Sequence, residues 1–151
     1  MERVKISVLY CEDELIVMKS ISKLLERKVE NVYTAMDGVE GLSKFNEFKP
    51  QIIITDIRMP NLSGLDMIQQ MREINPSCKF IIVSAYGQTD YFQRAIDIGV
   101  HGFLLNPLNK DKLYRMIEEL SDSIVLNEKI KDEKFVRKQV EEELVQANRM
   151  L

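Results

Sequence analysis

The chain has 151 residues, a formal net charge of -3 and a pI near 5.3, which suits one domain with a helical appendage. Its Lys and Arg are scattered, and Lys129-Ile130-Lys131 is answered at once by Asp132 and Glu133; direct nucleic-acid binding, which wants a concentrated basic face, is not expected. No stretch reaches the roughly 20 apolar residues of a membrane span and no apolar leader opens the chain, so a cytoplasmic protein off the membrane is expected.

Val4 to Tyr10 alternates and then fills with Ile6, Val8 and Leu9, predicting a first strand that Cys11 carries into Glu12-Asp13-Glu14. A helix follows, its turns marked by Ile16, Ser20, Leu24 and Lys28 and its inward stripe by Ile21, Leu24 and Leu25. Val32-Tyr33-Thr34-Ala35 is a short second strand. Asp37-Gly38 opens a second helix with Val39, Leu42, Phe45 and Phe48 inward, stopped by Pro50.

Gln51-Ile52-Ile53-Ile54-Thr55 is continuously apolar and β-branched, the pattern of a parallel strand covered on both faces. Asp56 comes next, then the turn-forming Met59-Pro60, Asn61 and Gly64, so this acid stands at the carboxyl end of its strand. Leu65, Ile68, Met71 and Ile74 predict a third helix that stops near Asn75-Pro76. Phe80 to Val83 is a fourth strand ending at Ser84, and a fourth helix opens at Thr89 or Asp90 and ends at Gly99. His101, the only histidine, reads as structural. Gly102 to Leu105 is a fifth strand closing at Asn106-Pro107, and a fifth helix opens at Asn109 or Asp111 with Leu113, Met116, Ile117 and Leu120 inward. Cys11 and Cys78 have no Cys or His partner at metal-ligand spacing; they read as small buried hydrophobes in a reducing compartment.

Strands alternating with helices imply right-handed crossovers and a parallel sheet covered on both sides. The expected fold is α/β: a five-stranded doubly wound sheet of flavodoxin-like order 2-1-3-4-5 with an extended C-terminal helix. In that order Asp13, Asp56 and Ser84 converge on one crevice, with Glu12 at its rim. Asp13 alone could be a helix cap and Ser84 a turn residue; their meeting at one sheet edge favours a site. Gathered carboxylates repel unless a cation sits between them, and hard oxygen ligands suit Mg²⁺. A carboxylate held there can attack phosphorus and form an acyl phosphate, with Ser84 donating to a phosphoryl oxygen.

Together, Glu12-Asp13, Ile52 to Ile57, Met59-Pro60-Asn61-Leu62-Ser63-Gly64, Ser84-Ala85 and Phe103-Leu104-Leu105-Asn106-Pro107 resemble the response-regulator receiver domain of two-component signalling, over about residues 4 to 120. The resemblance implies Asp56 as phosphoacceptor, Mg²⁺ held by Asp13, Asp56 and the backbone carbonyl of Arg58, and Glu12 acting largely through water. It makes Phe103 the switch aromatic, turning inward as Ser84 moves toward the phosphoryl group, and Asn106-Pro107 a candidate cis bond. The implied partner is a sensor histidine kinase or phosphotransfer protein, and the chain is an acceptor rather than an enzyme, with at most self-phosphorylation or autodephosphorylation. The family places a lysine where this chain has Asn106, which is shorter and uncharged. Two alternatives stand beside the phosphorylated switch: an atypical receiver acting as an interaction or dimerisation module, and an aspartyl-phosphate phosphatase. The latter wants a second acid two residues after the nucleophile, and Arg58 is there.

Residues 1–120 are thus expected to form the receiver. Residues 121–151 contain neither Gly nor Pro and continue the fifth helix. Val136, Val140, Leu144, Ala147 and Leu151 form a narrow apolar stripe that predicts a parallel homodimeric coiled coil linking to an effector.

Overall fold

The computed structural model describes residues 2–85 and 88–150. The elements run β1 (Val4–Cys11), α1 (Leu15–Lys28), β2 (Val29–Ala35), α2 (Gly38–Phe48), β3 (Ile52–Asp56), α3 (Gly64–Ile74), β4 (Lys79–Ala85), α4 (Phe92–Ile98), β5 (Gly102–Asn106) and α5 (Lys110–Arg149). The strands form one parallel sheet in the order β2-β1-β3-β4-β5, the arrangement that the alternating pattern predicts.

Side chains alternate between two cores. On one face Val8, Tyr10, Ile52, Ile54, Ile81, Val83 and Leu104 pack against Met18, Ile21 and Leu25 of α1 and Leu113, Ile117 and Ile124 of α5. On the other, Leu9, Cys11, Ile53, Phe80 and Ile82 meet Phe45 of α2, Met67, Ile68 and Met71 of α3 and Ala95 of α4. Each fully buried isoleucine contributes about 1.5–3 kcal/mol of transfer free energy. Cys11 and Cys78 are both buried and unbridged.

Several boundaries and faces differ from the sequence expectation. β2 starts at Val29, because the chain leaves α1 in an extended conformation there and Val29 pairs with Val4 across a register shift. α4 begins only at Phe92, with Tyr91 as its N-cap and the left-handed Gly99 (φ 91°) closing it. Val39, Phe48 and Ile74, expected inward, are exposed. All three lie at or next to helix ends, where fewer neighbours cover a side chain, although Phe48 stacks on Tyr33 with ring centroids 4.2 Å apart.

α5 is a single helix of 40 residues. Its inward residues Leu113, Ile117, Ser121 and Ile124 are buried, whereas Val136, Val140, Leu144 and Ala147 are exposed. Leu151, the last member of the expected stripe, lies outside the described residues. Among those described, no helix is long and apolar enough to cross a membrane.

Candidate functional site

The carboxyl ends of β1 and β3 bring three acids together. Single ligand oxygens of Glu12, Asp13 and Asp56 all lie within 4.8 Å of one another. Register explains the meeting: Cys11 pairs with Thr55, so both strands turn acidic at the same level of the sheet. Glu12 is anchored by its own amide, which donates to the Ala35 carbonyl at 3.0 Å. Its Oε1 accepts the Glu14 amide at 3.3 Å, while Oε2 is buried with no partner.

Glu12 is only 2% exposed. Burial, then the Asp56 charge, push its carboxyl up to about 7. Asp56 is also raised, by burial first and by the Asp13 charge, against the lowering effect of the Ile57 amide that donates to Oδ1 at 2.7 Å. Two carboxyls that both resist ionisation, one with an orphaned buried oxygen, are what a hard divalent cation would relieve. These donors therefore fit Mg²⁺.

A brace behind Asp56 was not singled out from sequence. Thr55 Oγ1 donates to the Asp56 carbonyl at 2.7 Å, and the Gly64 amide donates to the Ile57 carbonyl at 2.7 Å. Asn61 sits in the left-handed region at φ 69° and donates from Nδ2 to Asp37 Oδ2 at 2.8 Å. Asp37 in turn caps α2 by accepting the Glu40 amide at 2.7 Å. The loop after β3 is thereby tied to the start of α2. The available sequence signals were the turn residues Asn61 and Gly64 and the cap spacing Ser63 to Asp66, where Ser63 Oγ accepts the Asp66 amide at 3.2 Å.

Ser84 is buried and its Oγ has no partner. It lies one residue past Val83, the register partner of Asp56, so it is at the same sheet edge. Phe103 is half-buried and meets Phe92 edge-to-face at 5.2 Å. Arg58 is two residues past Asp56; its exposed guanidinium approaches Asp90 at 4.0 Å, a pairing worth little in water. The Asn106-Pro107 bond is cis. Asn106 pairs in register with Ala85, with β4 between it and Asp56, and borders a groove of about 610 Å³ shared with Ile16, Val17, Ile21 and Leu24 of α1. Lys110 and Lys112 are exposed on α5. His101 Nδ1 accepts the Phe80 amide at 3.0 Å, which is a structural role.

The family model described as the response regulator receiver domain matches residues 8–118. The chain is 33% identical over 116 residues to an uncharacterized response regulatory protein of Staphylococcus epidermidis, covering 75% of this chain and 45% of that protein. It is likewise 33% identical over 109 residues to the transcriptional regulatory protein HptR of Staphylococcus aureus, covering 70% and 42% of the two chains. It thus spans less than half the length of these curated relatives. Among solved structures, a response regulator receiver domain protein from Clostridium thermocellum superposes with a TM-score of 0.75 at 30% identity, covering 80% of this chain and 98% of that one.

Proposed function

Because the chain belongs to the response regulator receiver family, we propose that Asp56 is its phosphoacceptor and that the acidic cluster makes the transfer Mg²⁺-dependent. The observation that carries this reading is the convergence of Glu12, Asp13 and Asp56 within 4.8 Å at the sheet edge. The expected donor is a phosphohistidine on a sensor kinase or phosphotransfer protein. An Asp56 oxygen attacks phosphorus, the new P–O bond forms as the P–N bond breaks, and imidazole leaves with a proton. Asp13, Asp56 and the Arg58 carbonyl would hold Mg²⁺, with Glu12 contacting its water. Bound there, the cation supplies charge neutralisation for the phosphoryl oxygens.

The chain's own groups position the reaction. The Ile57 amide on Oδ1 fixes the orientation of the Asp56 carboxylate, and Thr55 and Gly64 hold the peptides on either side. Ser84 Oγ, buried without a partner, is free to bond a phosphoryl oxygen, and Phe103 would follow it inward. α5 carries the change to an output, and its exposed stripe is the surface through which two copies pair. The names of relatives such as HptR make transcriptional control one candidate output; in that case a further segment, not this receiver, would contact DNA.

Incubation with Mg²⁺ and a small phosphodonor should add one phosphoryl mass to the chain, and Asp56→Ala should abolish it. An unlabelled wild-type protein whose oligomeric state ignores beryllofluoride would instead identify a non-phosphorylated interaction module. Steady turnover of phosphate esters would point to a phosphatase.

A further inference from the structure

Tyr10 is wholly buried, and its hydroxyl is one of the few buried polar atoms among the described residues with no hydrogen-bond partner. On the α1/α5 face of the sheet its ring is level with Ile54 and Ile81, its register neighbours across β3 and β4. The next level on the same face holds Glu12 after β1 and Asp56 of β3, with Val83 of β4 and Leu104 of β5 beyond them. Leucine or valine would end within the apolar layer. Tyrosine extends past it with a donor, toward the side of the next layer that carries Glu12 and Asp56.

That layer contains an unmet acceptor. Glu12 Oε2 is buried without a partner, while Oε1 is already occupied by the Glu14 amide. Glu12 and Tyr10 are separated by one residue on the same strand path, so their side chains leave the backbone about 7 Å apart on one face. A leftover buried donor and a leftover buried acceptor at this spacing can be joined across one water.

We propose that Tyr10 is a positioning residue for the acidic site, its hydroxyl donating to Glu12 Oε2 across one water and fixing that carboxylate beside Asp13 and Asp56 for Mg²⁺. The inference rests on the reading of the cluster as a cation site. It gives Tyr10 no contact with the phosphoryl group.

Calorimetric Mg²⁺ titration of the full chain tests it. Tyr10→Phe keeps the ring and removes only the donor; it should weaken Mg²⁺ binding three- to tenfold without lowering the melting temperature of the metal-free protein. In a Glu12→Ala background the same change should leave the Mg²⁺ affinity unaltered. As a second readout, Mg²⁺ should perturb the near-ultraviolet tyrosine absorption of the wild type and not of Tyr10→Phe. Wild-type affinity in Tyr10→Phe overturns the proposal, as does an equal loss in both backgrounds. A loss of affinity that tracks a fall in melting temperature, with no tyrosine perturbation in the wild type, reduces Tyr10 to packing and overturns it too. If the wild type binds no Mg²⁺, the cation-site reading itself fails, a result distinct from these.

Discussion

The ammonium of Lys28, at the last turn of α1, is paired with the carboxylate of Glu118 on α5. The lysine side chain is 4% exposed and the glutamate 55%, so the cation is taken out of water and the anion is not. Lys28 Nζ also lies 5.4 Å from the Tyr114 ring centroid, and the Tyr114 hydroxyl donates to the Leu24 carbonyl at 2.6 Å. This cluster fastens the base of α5 to α1.

Removing the anion strands the buried cation. Glu118→Gln keeps an acceptor oxygen but removes the charge, and is expected to cost about 1–3 kcal/mol, the range for a buried polar group losing its partner. Lys28→Met removes the charge along with the need for a partner and should cost less. Urea unfolding midpoints of the two variants check the order; a larger loss in Lys28→Met would refute it.

Gly64 is constrained by a neighbour rather than by its dihedral angles. A Cβ there would run into the backbone carbonyl oxygen of Asp56. Gly64→Ala should therefore destabilise by about 1–3 kcal/mol, the usual cost of overpacking. Because the displaced peptide is that of Asp56, Mg²⁺ affinity should fall as well. Thermal unfolding and metal titration on the same sample read both effects.

His101 predicts a pH dependence. Nδ1 accepts the Phe80 amide at 3.0 Å, so that nitrogen must be unprotonated in the fold. Burial first, then the Lys79 and Arg72 charges, hold the imidazole pKa below its usual value. The unfolded chain takes up a proton near pH 6.5 and the folded one resists it. The stability this group contributes is thus present above about pH 6.5 and is lost as pH falls from there through the folded pKa. His101→Asn offers a non-titrating acceptor in a similar place. Between pH 7.5 and pH 5 (about one unit above and one and a half units below the histidine value) the wild-type melting temperature should fall relative to the variant.

These details were unequally legible in the sequence. The strand order and the acidic edge were open to reading because the apolar runs of β1, β3 and β4 lead directly into Glu12-Asp13, Asp56 and Ser84, and sheet topology does the rest. The early start of β2 was hidden, since Lys28-Val29-Glu30-Asn31 continues the polar mixture of α1 and only pairing with Val4 pulls Val29 into the sheet. Helix periodicity assigned Val39, Phe48 and Ile74 to inward faces, but it carries no information on where the neighbouring layer stops. Tyr10 counts as apolar in any pattern, and the unmet hydroxyl emerges only in three dimensions.

The exposed seam of α5 is expected to hold two copies together. Leu126, Ile130, Val140 and Leu144 are exposed, and at 3.6 residues per turn Leu126 lies about 200° around the helix from the buried Ile124. The seam faces away from the chain's own sheet, so pairing need not undock α5. Glu133 and Arg137 occupy the intervening seam positions. Val140→Glu should raise the dimer dissociation constant by roughly tenfold or more, a change of about 1.4 kcal/mol. Sedimentation equilibrium decides it, and a monomeric wild type would show that the seam awaits a different partner.

Asn106 stands where the resemblance implies a lysine, and its placement makes its replacement informative. It closes β5 on the sheet face that also carries Asp56, with β4 between them, and its short amide has no charge to offer a phosphoryl group. A lysine there has the reach and the charge. Near 4 Å the added Coulomb attraction spans about 1 kcal/mol in water to about 4 kcal/mol at a partly buried site. The groove beside Asn106 is open, so the longer side chain fits without disturbing α1. Asn106→Lys should therefore bind beryllofluoride with Mg²⁺ at least fivefold more tightly than the wild type, as about 1 kcal/mol requires, with Mg²⁺ affinity alone lowered slightly by the added positive charge. Paired titrations of both proteins with and without fluoride measure the two effects separately, and equal beryllofluoride affinity would mean that asparagine costs this site nothing.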